Sequence, residues 1–471
     1  MSSGLLPRAT PAAMGVPSRA IGALLDRLEA GPIELHSIMV VRHGHVVAEG
    51  WWAPYAADRP HLLYSLTKSV TSVAVGLAIA DGRLALDDRV VDVLPDHVPD
   101  GLSEQAGRIT VHDLLSMTAG HDTDSLGEAW QLEPGDLMKG FLRVPFPTPG
   151  RHAYDNATTG VLARMVERAT GRNLPDLLDE RVFHPMGIDH AEWDRLGSGA
   201  VFGFHGLHLR TEAVAAFGEL LLREGAWGDR QLIPREWVAL ATRKHADTSH
   251  KADESPNPEG LHGYGYQFWM SRHGYRAEGA YGQMCVVVPS HDLVVVVTCG
   301  GGQDPDMPAA LWDVLLPGLD GTVTPEDDDI LASRLRRLSI PVVRGSAEPG
   351  RSATANVVAA EDSALPAGSA VTVEPVDGGW QLRLGPSIKL AVGHGEWRES
   401  SPLGRPVVAG GAWQGDTFVA DLFVITTPHR VRLTLDARAG TAVATWSTVP
   451  LTTSDLELHL RSPLMTRPDV A

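Results

Sequence analysis

The sequence predicts two folded units: a mixed α+β domain in which helices flank a central antiparallel sheet, and a smaller all-β, barrel-like domain behind it. Three observations lead there. The chain has 471 residues, and hydrophobic cores stop growing beyond roughly 250–300 residues. Helical and strand periodicities mix up to about residue 320, whereas from residue 370 only strand alternation and turns remain. Between them Pro325, Asp327-Asp328-Asp329, Pro341 and Glu348-Pro349-Gly350 mark a short helix and a linker. The expected division is therefore 1–320, 321–354 and 355–471.

Each element has its own signal. After Pro17-Ser18, Ile21, Leu24, Leu25 and Leu28 share one helical face, so 17–30 is an amphipathic helix. Two β-rich runs, 38–41 and 46–51, flank His43-Gly44 as a hairpin. From Ser69 to Ala80 the side chains are too apolar for a surface helix, and Asp81-Gly82 stops it, which predicts a buried central helix. Further helices are expected at 110–117, where Thr110 and Asp113 form a capping pair, at 158–170 before Gly171, and at 211–224 before Gly225. Short strands follow at 264–270, 275–277, 284–288 and 293–299, then a last helix at 308–316. With the first hairpin these strands make a sheet drawn from both ends of the domain. The later strands are expected at 371–374, 380–384, 388–392, 417–423, 431–435 and 442–446.

Composition removes several function classes. The 40 basic and 58 acidic residues give a net charge of -18, which repels phosphate backbones and anionic lipid, so neither nucleic acid nor a membrane is an expected partner. The only cysteines are Cys285 and Cys299, and a hairpin closing at Ser290-His291 would set Cys285 opposite Val296, out of reach of Cys299. Residues 1–17 hold no apolar stretch of signal-peptide length, and no run reaches the length of a membrane helix. A cytoplasmic protein is expected. His43, His45, His205 and His208 lack metal-ligand spacing, His112 sits in a first helical turn, and Gly-x-Ser-x-Gly is absent, so neither a metal, a cofactor nor an α/β-hydrolase elbow is expected.

One pattern does carry chemistry. Ser65-Leu66-Thr67-Lys68 opens the buried helix, placing Ser65 at a positive helix end and Lys68 one turn later on the same face. Such a pair is a nucleophile and its base; the alternative is a helix cap beside a solvated lysine. The chain uses lysine at only 68, 139, 244, 251 and 389, and arginine supplies every other basic side chain. A lysine kept where arginine is the habit points to an amine that must lose its proton, which guanidinium does not do. Tyr154-Asp155-Asn156 then follows the Pro149-Gly150 turn, where a phenol can relay a proton and an amide can hold Lys68 or a substrate carbonyl. Read alone, that tripeptide is a turn with a half-buried tyrosine.

The order of these motifs resembles the serine β-lactamase and penicillin-binding protein group, in its class C-like esterase and amidase branch, over roughly residues 10–320. There a Ser-x-x-Lys helix start is followed by Tyr-x-Asn and then by a strand ending in Lys-Thr-Gly or a relaxed variant. Residues 109–120, 211–224 with Gly225-Ala226-Trp227, and Gly279-Ala280-Tyr281-Gly282-Gln283 leading to Pro289, Asp292 and 294–297 are similar as well. The resemblance implies catalysis by Ser65, Lys68 and Tyr154, assistance by Asn156, and an oxyanion hole from the N–H groups of Ser65 and Ala280 beside Gly279. Such a donor contributes about 3–4 kcal/mol to the transition state. Tyr64 and Tyr281, which neighbour motif residues, are expected to line the cleft. The third motif departs from the strict form: Ala277-Glu278-Gly279 has no cation in first place, which favours neutral esters or amides over carboxylate-bearing substrates unless Arg276 reaches in.

The expected activity is therefore hydrolysis of a small ester, amide or peptide through an acyl-enzyme on Ser65. Two alternatives stand beside it: transfer of the acyl group to an amine, as in peptide cyclases, and a relative that only binds. The C-terminal domain, lipocalin-like by fold analogy, is expected to cap the cleft or to mediate a homodimer.

Overall fold

A two-residue turn begins the sheet. Strands β1 (Glu34–Arg42) and β2 (His45–Trp51) are joined by His43 and Gly44, whose φ values of 51° and 74° supply the left-handed geometry that a tight hairpin needs. The computed structural model describes residues 4–250, 258–301, 307–348 and 350–461. Four strands from the far end of the domain, β3 (Trp269–Ser271), β4 (Gly274–Gly279), β5 (Gln283–Val288) and β6 (Leu293–Gly300), complete the sheet in the order β2-β1-β6-β5-β4-β3. All its pairings are antiparallel, and Ile38 lies opposite Val297 at the seam between the two chain ends.

Alternation along these strands buries both faces. Met39, Val41, Cys285, Val287, Val294 and Val296 pack on one side with α2 (Leu66–Ala80) and α4 (Thr211–Leu222). Ile38, Val40, Val286, Val295 and Val297 pack on the other with α1 (Ser18–Glu29), a helical stretch at 307–318 and α5 (Pro325–Leu335). Every α2 residue from Leu66 to Ala78 is buried, as expected of a helix with no polar face. Thr110 and Asp113 form the reciprocal cap of the helix Val111–Leu115. Helix α3 (Asn156–Thr170) stops on Gly171 at φ 70°. Cys285 faces Val296, and both cysteines are buried thiols.

Two expectations need correction. Only Trp269–Ser271 of the 264–270 run is strand. Gln267 has φ 67° and cannot continue a strand; its buried amide donates to the carbonyls of Leu114 and Leu115 and accepts from Thr159. The alternating aromatics there register burial around a turn. The helix expected to 224 ends at Leu222, because Glu224 and Gly225 both turn left-handed.

The C-terminal region is an eight-stranded closed barrel. Its strands are β7 (Ala353–Val357), β8 (Ala370–Val376), β9 (Gly379–Leu384), β10 (Ile388–Gly393), β11 (Val407–Gln414), β12 (Thr417–Val424), β13 (Arg430–Asp436) and β14 (Thr441–Trp446). Parallel contacts of β7 with β14 and of β10 with β11 close it, and a short strand at Arg398–Ser400 pairs alongside β11. Strand β7 begins inside the segment expected to be linker. Strand β11 escaped the sequence reading because Ala409, Gly410, Gly411 and Ala412 dilute its β-branched alternation. The interior is filled by side chains such as Trp380, Trp413 and Phe418.

The barrel docks on the back of the sheet domain. Val408, Phe423 and Ile425 share a core with Ile38, Val40, Trp52 and Tyr55. Around that apolar centre the Leu62 amide donates to the Thr426 carbonyl at 2.8 Å, Arg430 pairs with Glu34 at 2.7 Å, and Arg405 pairs with Asp194 where each side chain is only 1% exposed. No helix among the described residues is long and apolar enough to cross a membrane.

Candidate active site

Ser65 caps α2 with φ -66° and ψ -13°, half-buried at the positive end of the helix. One turn on, the Lys68 side chain is 1% exposed, and its Nζ lies 2.8 Å from Ser65 Oγ, 2.7 Å from Asn156 Oδ1 and 3.1 Å from the Phe204 carbonyl. Burial lowers the lysine pKa from 10.5 to about 7, against the opposing pull of Asp124 and Asp155. The first two motifs thus meet, although 88 residues separate Lys68 from Asn156.

The tripeptide around Tyr154 divides its labour. Asp155, buried, caps α3 by accepting from the Ala157 amide at 2.9 Å, and it also takes hydrogen bonds from the Ser125 amide and hydroxyl and from His121. That pins the 121–125 loop to the start of α3 and brings Asp124 beside Asn156. The Asn156 amide donates to Asp124 Oδ2 at 2.6 Å, and since a carboxylate only accepts, Oδ1 is left facing Lys68. Tyr154 stacks on Trp269 with centroids 5.8 Å apart and planes 8° apart, and Lys68 Nζ sits 4.9 Å from its ring centre. Burial raises the phenol's pKa, while a hydrogen bond with Ser65 works the other way.

The third motif closes the site from β4. A Cβ on Gly279 would lie 2.0 Å from the Leu63 carbonyl oxygen and 3.2 Å from the Leu66 nitrogen, so only glycine lets this strand press against the turn that carries Ser65. Ala280, the next residue, is delivered to the same turn. Ala277 is buried in the core on the helix side, and Arg276 does not present its charge to a ligand. It is 1% exposed and donates to Glu278, to the Met270 and Glu259 carbonyls and to the Ser271 hydroxyl.

Ser65, Lys68, Tyr154 and Asn156 therefore converge, with Gly279 and Ala280 against them. Tyr64 and Tyr281 behave differently: Tyr64 is 2% exposed, and both hydroxyls turn towards the barrel. Sequence reasoning missed Asp124 and the Phe204 carbonyl, which come from loops with no local pattern. Only Asp155 had a local signal, an acidic side chain directly before a helix. A single group with metal-ligand spacing occurs among the described residues, Glu192, Asp194 and His208. Arg405 and His208 already bind Asp194 there.

Against this geometry, the family model described as Beta-lactamase matches residues 33–318. The chain belongs to the beta-lactamase family. The barrel lies outside the matched span. A 6-aminohexanoate-dimer hydrolase of Paenarthrobacter ureafaciens is 28% identical over 323 residues, 63% of this chain and 81% of that protein. Esterase EstB of Burkholderia gladioli is 28% identical over 190 residues, 35% of this chain and 47% of that protein. The solved structure of a penicillin-binding protein homolog from Caulobacter crescentus has a TM-score of 0.51 at 17% identity, over 65% of this chain and 98% of that one, a likeness of fold. This beta-lactamase-family chain thus stands among serine hydrolases that act on esters and amides.

Proposed function

We propose that the protein hydrolyses small, uncharged esters or amides through an acyl-enzyme on Ser65. The observation that carries this is the contact of Lys68 Nζ with Ser65 Oγ at 2.8 Å, made by an amine whose pKa falls to about 7. As an ammonium, Lys68 donates to all three oxygens around it. As a free amine its two protons go to Asn156 Oδ1 and the Phe204 carbonyl, which can only accept, and its lone pair is left for the Ser65 hydroxyl. Lys68 is then the base, and Ser65 Oγ attacks the carbonyl carbon as its proton passes to Nζ.

Tyr154 has the complementary role. Its raised pKa keeps the phenol protonated at neutral pH, so it serves as the acid that hands a proton to the departing alkoxide or amine, replenished from Lys68. The backbone N–H groups of Ser65 and Ala280 hold the oxyanion. Water then attacks the acyl-Ser65 ester and releases the acid. Glu278 stands in the third motif, and Arg276 is spent on its own neighbours, which favours a substrate without a carboxylate at that end. In this reading residues 1–320 carry the chemistry, 321–354 connect, and 355–471 form the barrel.

The test is a panel of p-nitrophenyl esters, D-amino-acid amides, 6-aminohexanoate amides and nitrocefin with the full chain. Hydrolysis of uncharged esters or amides, lost in a folded Ser65→Ala protein, is expected. Turnover that survives in Ser65→Ala would refute the reading.

A further inference from the structure

Two tyrosines sit where glycine would be expected. Tyr64, directly before Ser65, has φ 50°, and Tyr281, directly after Ala280, has φ 65°. Side chains rarely accept that backbone unless the surroundings impose it. Both side chains reach the barrel, and Tyr64 also packs on His205 with ring centroids 4.9 Å apart. The Tyr64 hydroxyl donates to His429 Nε2, and the Tyr281 hydroxyl donates to the Val449 carbonyl.

The three rings form a closed triangle. Tyr64 and Tyr281 lie 5.2 Å apart at 70°, and His429 meets Tyr64 at 5.7 Å and 84° and Tyr281 at 5.3 Å and 81°, all edge-to-face. His429 is completely buried. Its Nδ1 lies 2.8 Å from the Thr448 carbonyl, which only accepts, so Nδ1 carries the proton and Nε2 accepts from the Tyr64 hydroxyl. Burial holds its pKa near 3, which keeps the ring neutral. Two further ties flank the triangle: the Leu62 amide bonds the Thr426 carbonyl, and the Gln283 amide donates to the carbonyls of Ala280, Tyr281 and Cys299.

We propose that the barrel is a working part of the active site, with His429 as a positioning residue that, through Tyr64 and Tyr281, holds the Ser65 and Ala280 amides at the separation an oxyanion requires. This rests on the Ser65 reading above and adds a residue from outside the family-matched span. What the barrel contributes is geometry on both sides of the oxyanion hole.

The experiment uses the full chain as wild type, His429→Ala, His429→Gln and Tyr64→Phe. Folding is checked by circular dichroism, and kcat, KM and the pH profile are read on the best p-nitrophenyl ester. His429→Ala is expected to lower kcat by about 10- to 100-fold with KM nearly constant, because a displaced donor weakens transition-state binding. The midpoint of the acid limb should not move, since Lys68 is untouched. His429→Gln, whose Oε1 can accept from Tyr64, should restore most of the rate, and Tyr64→Phe should lose rate in the same way. A folded His429→Ala with kcat within about twofold of wild type, or a loss that His429→Gln leaves unrestored, would overturn the proposal. Should His429→Ala not fold, Tyr64→Phe is judged by the same kcat criterion. A wild-type protein that a fluorophosphonate does not label would instead overturn the Ser65 reading beneath it.

Discussion

At the scale of single residues, the site depends on where one proton sits. Lys68 has three oxygen neighbours and no solvent, so its charge is costly and its pKa drops to about 7. Acylation should therefore rise with pH through a midpoint near 7, as the ammonium gives way to the amine that can accept the serine proton. Lys68→Arg should be inactive throughout that range, because guanidinium stays protonated. Asp124 raises the Lys68 pKa, so Asp124→Asn should move the acid limb of the pH–rate profile to lower pH, by less than about one unit for a carboxylate at the surface. A limb that moves upward would contradict the placement of that charge. The contact between Ser65 and Lys68 was legible in the sequence because both lie on one helical turn and because lysine is rare in the chain. Asp124 was not, since it reaches Asn156 only through the cap that Asp155 builds.

Among the elements, strand β4 and the start of α2 have to touch. The missing side chain at Gly279 permits it. Gly279→Ala should push β4 away from the Ser65 turn and lower kcat/KM by about tenfold or more, with circular dichroism unchanged, since a displaced oxyanion donor costs that much. Wild-type kinetics in that variant would show that the strand does not set the site. The hairpin, α1, α2, the Thr110–Asp113 cap and most barrel strands were legible because each expresses a local period or capping pattern. The 264–268 turn was not: Tyr264, Tyr266 and Phe268 alternate like a strand, yet they surround a buried Gln267 whose side-chain amide and backbone carbonyl together tie three helices. Long-range hydrogen bonding overrode local propensity there.

For the whole molecule, the question is why a filled barrel is joined to a hydrolase. Its interior is filled with side chains such as Trp380 and Trp413, while its 425–429 turn and 448–449 segment reach the residues beside Ser65 and Ala280. The Arg405–Asp194 pair locks that placement away from water. Removing Arg405 takes away the cation paired with the buried Asp194, so Arg405→Met should cost about 3–5 kcal/mol, read as a fall in the unfolding midpoint, and Arg405→Met combined with Asp194→Asn should cost less. Equal losses in the single and double variants would mean that the pair is not coupled. Fold analogy offered only a cap over the cleft or a homodimer; the individual contacts were not legible in the sequence, because their partners lie hundreds of residues apart and carry no shared periodic signature.

The most direct measurement of the central claim is peptide mass spectrometry after brief exposure to a fluorophosphonate or a slow ester, repeated from pH 5 to 9. The expected result is one covalent adduct on the peptide containing Ser65, forming faster as pH rises through about 7 and absent in Ser65→Ala. An adduct on another residue, or none while substrate is being turned over, would contradict it.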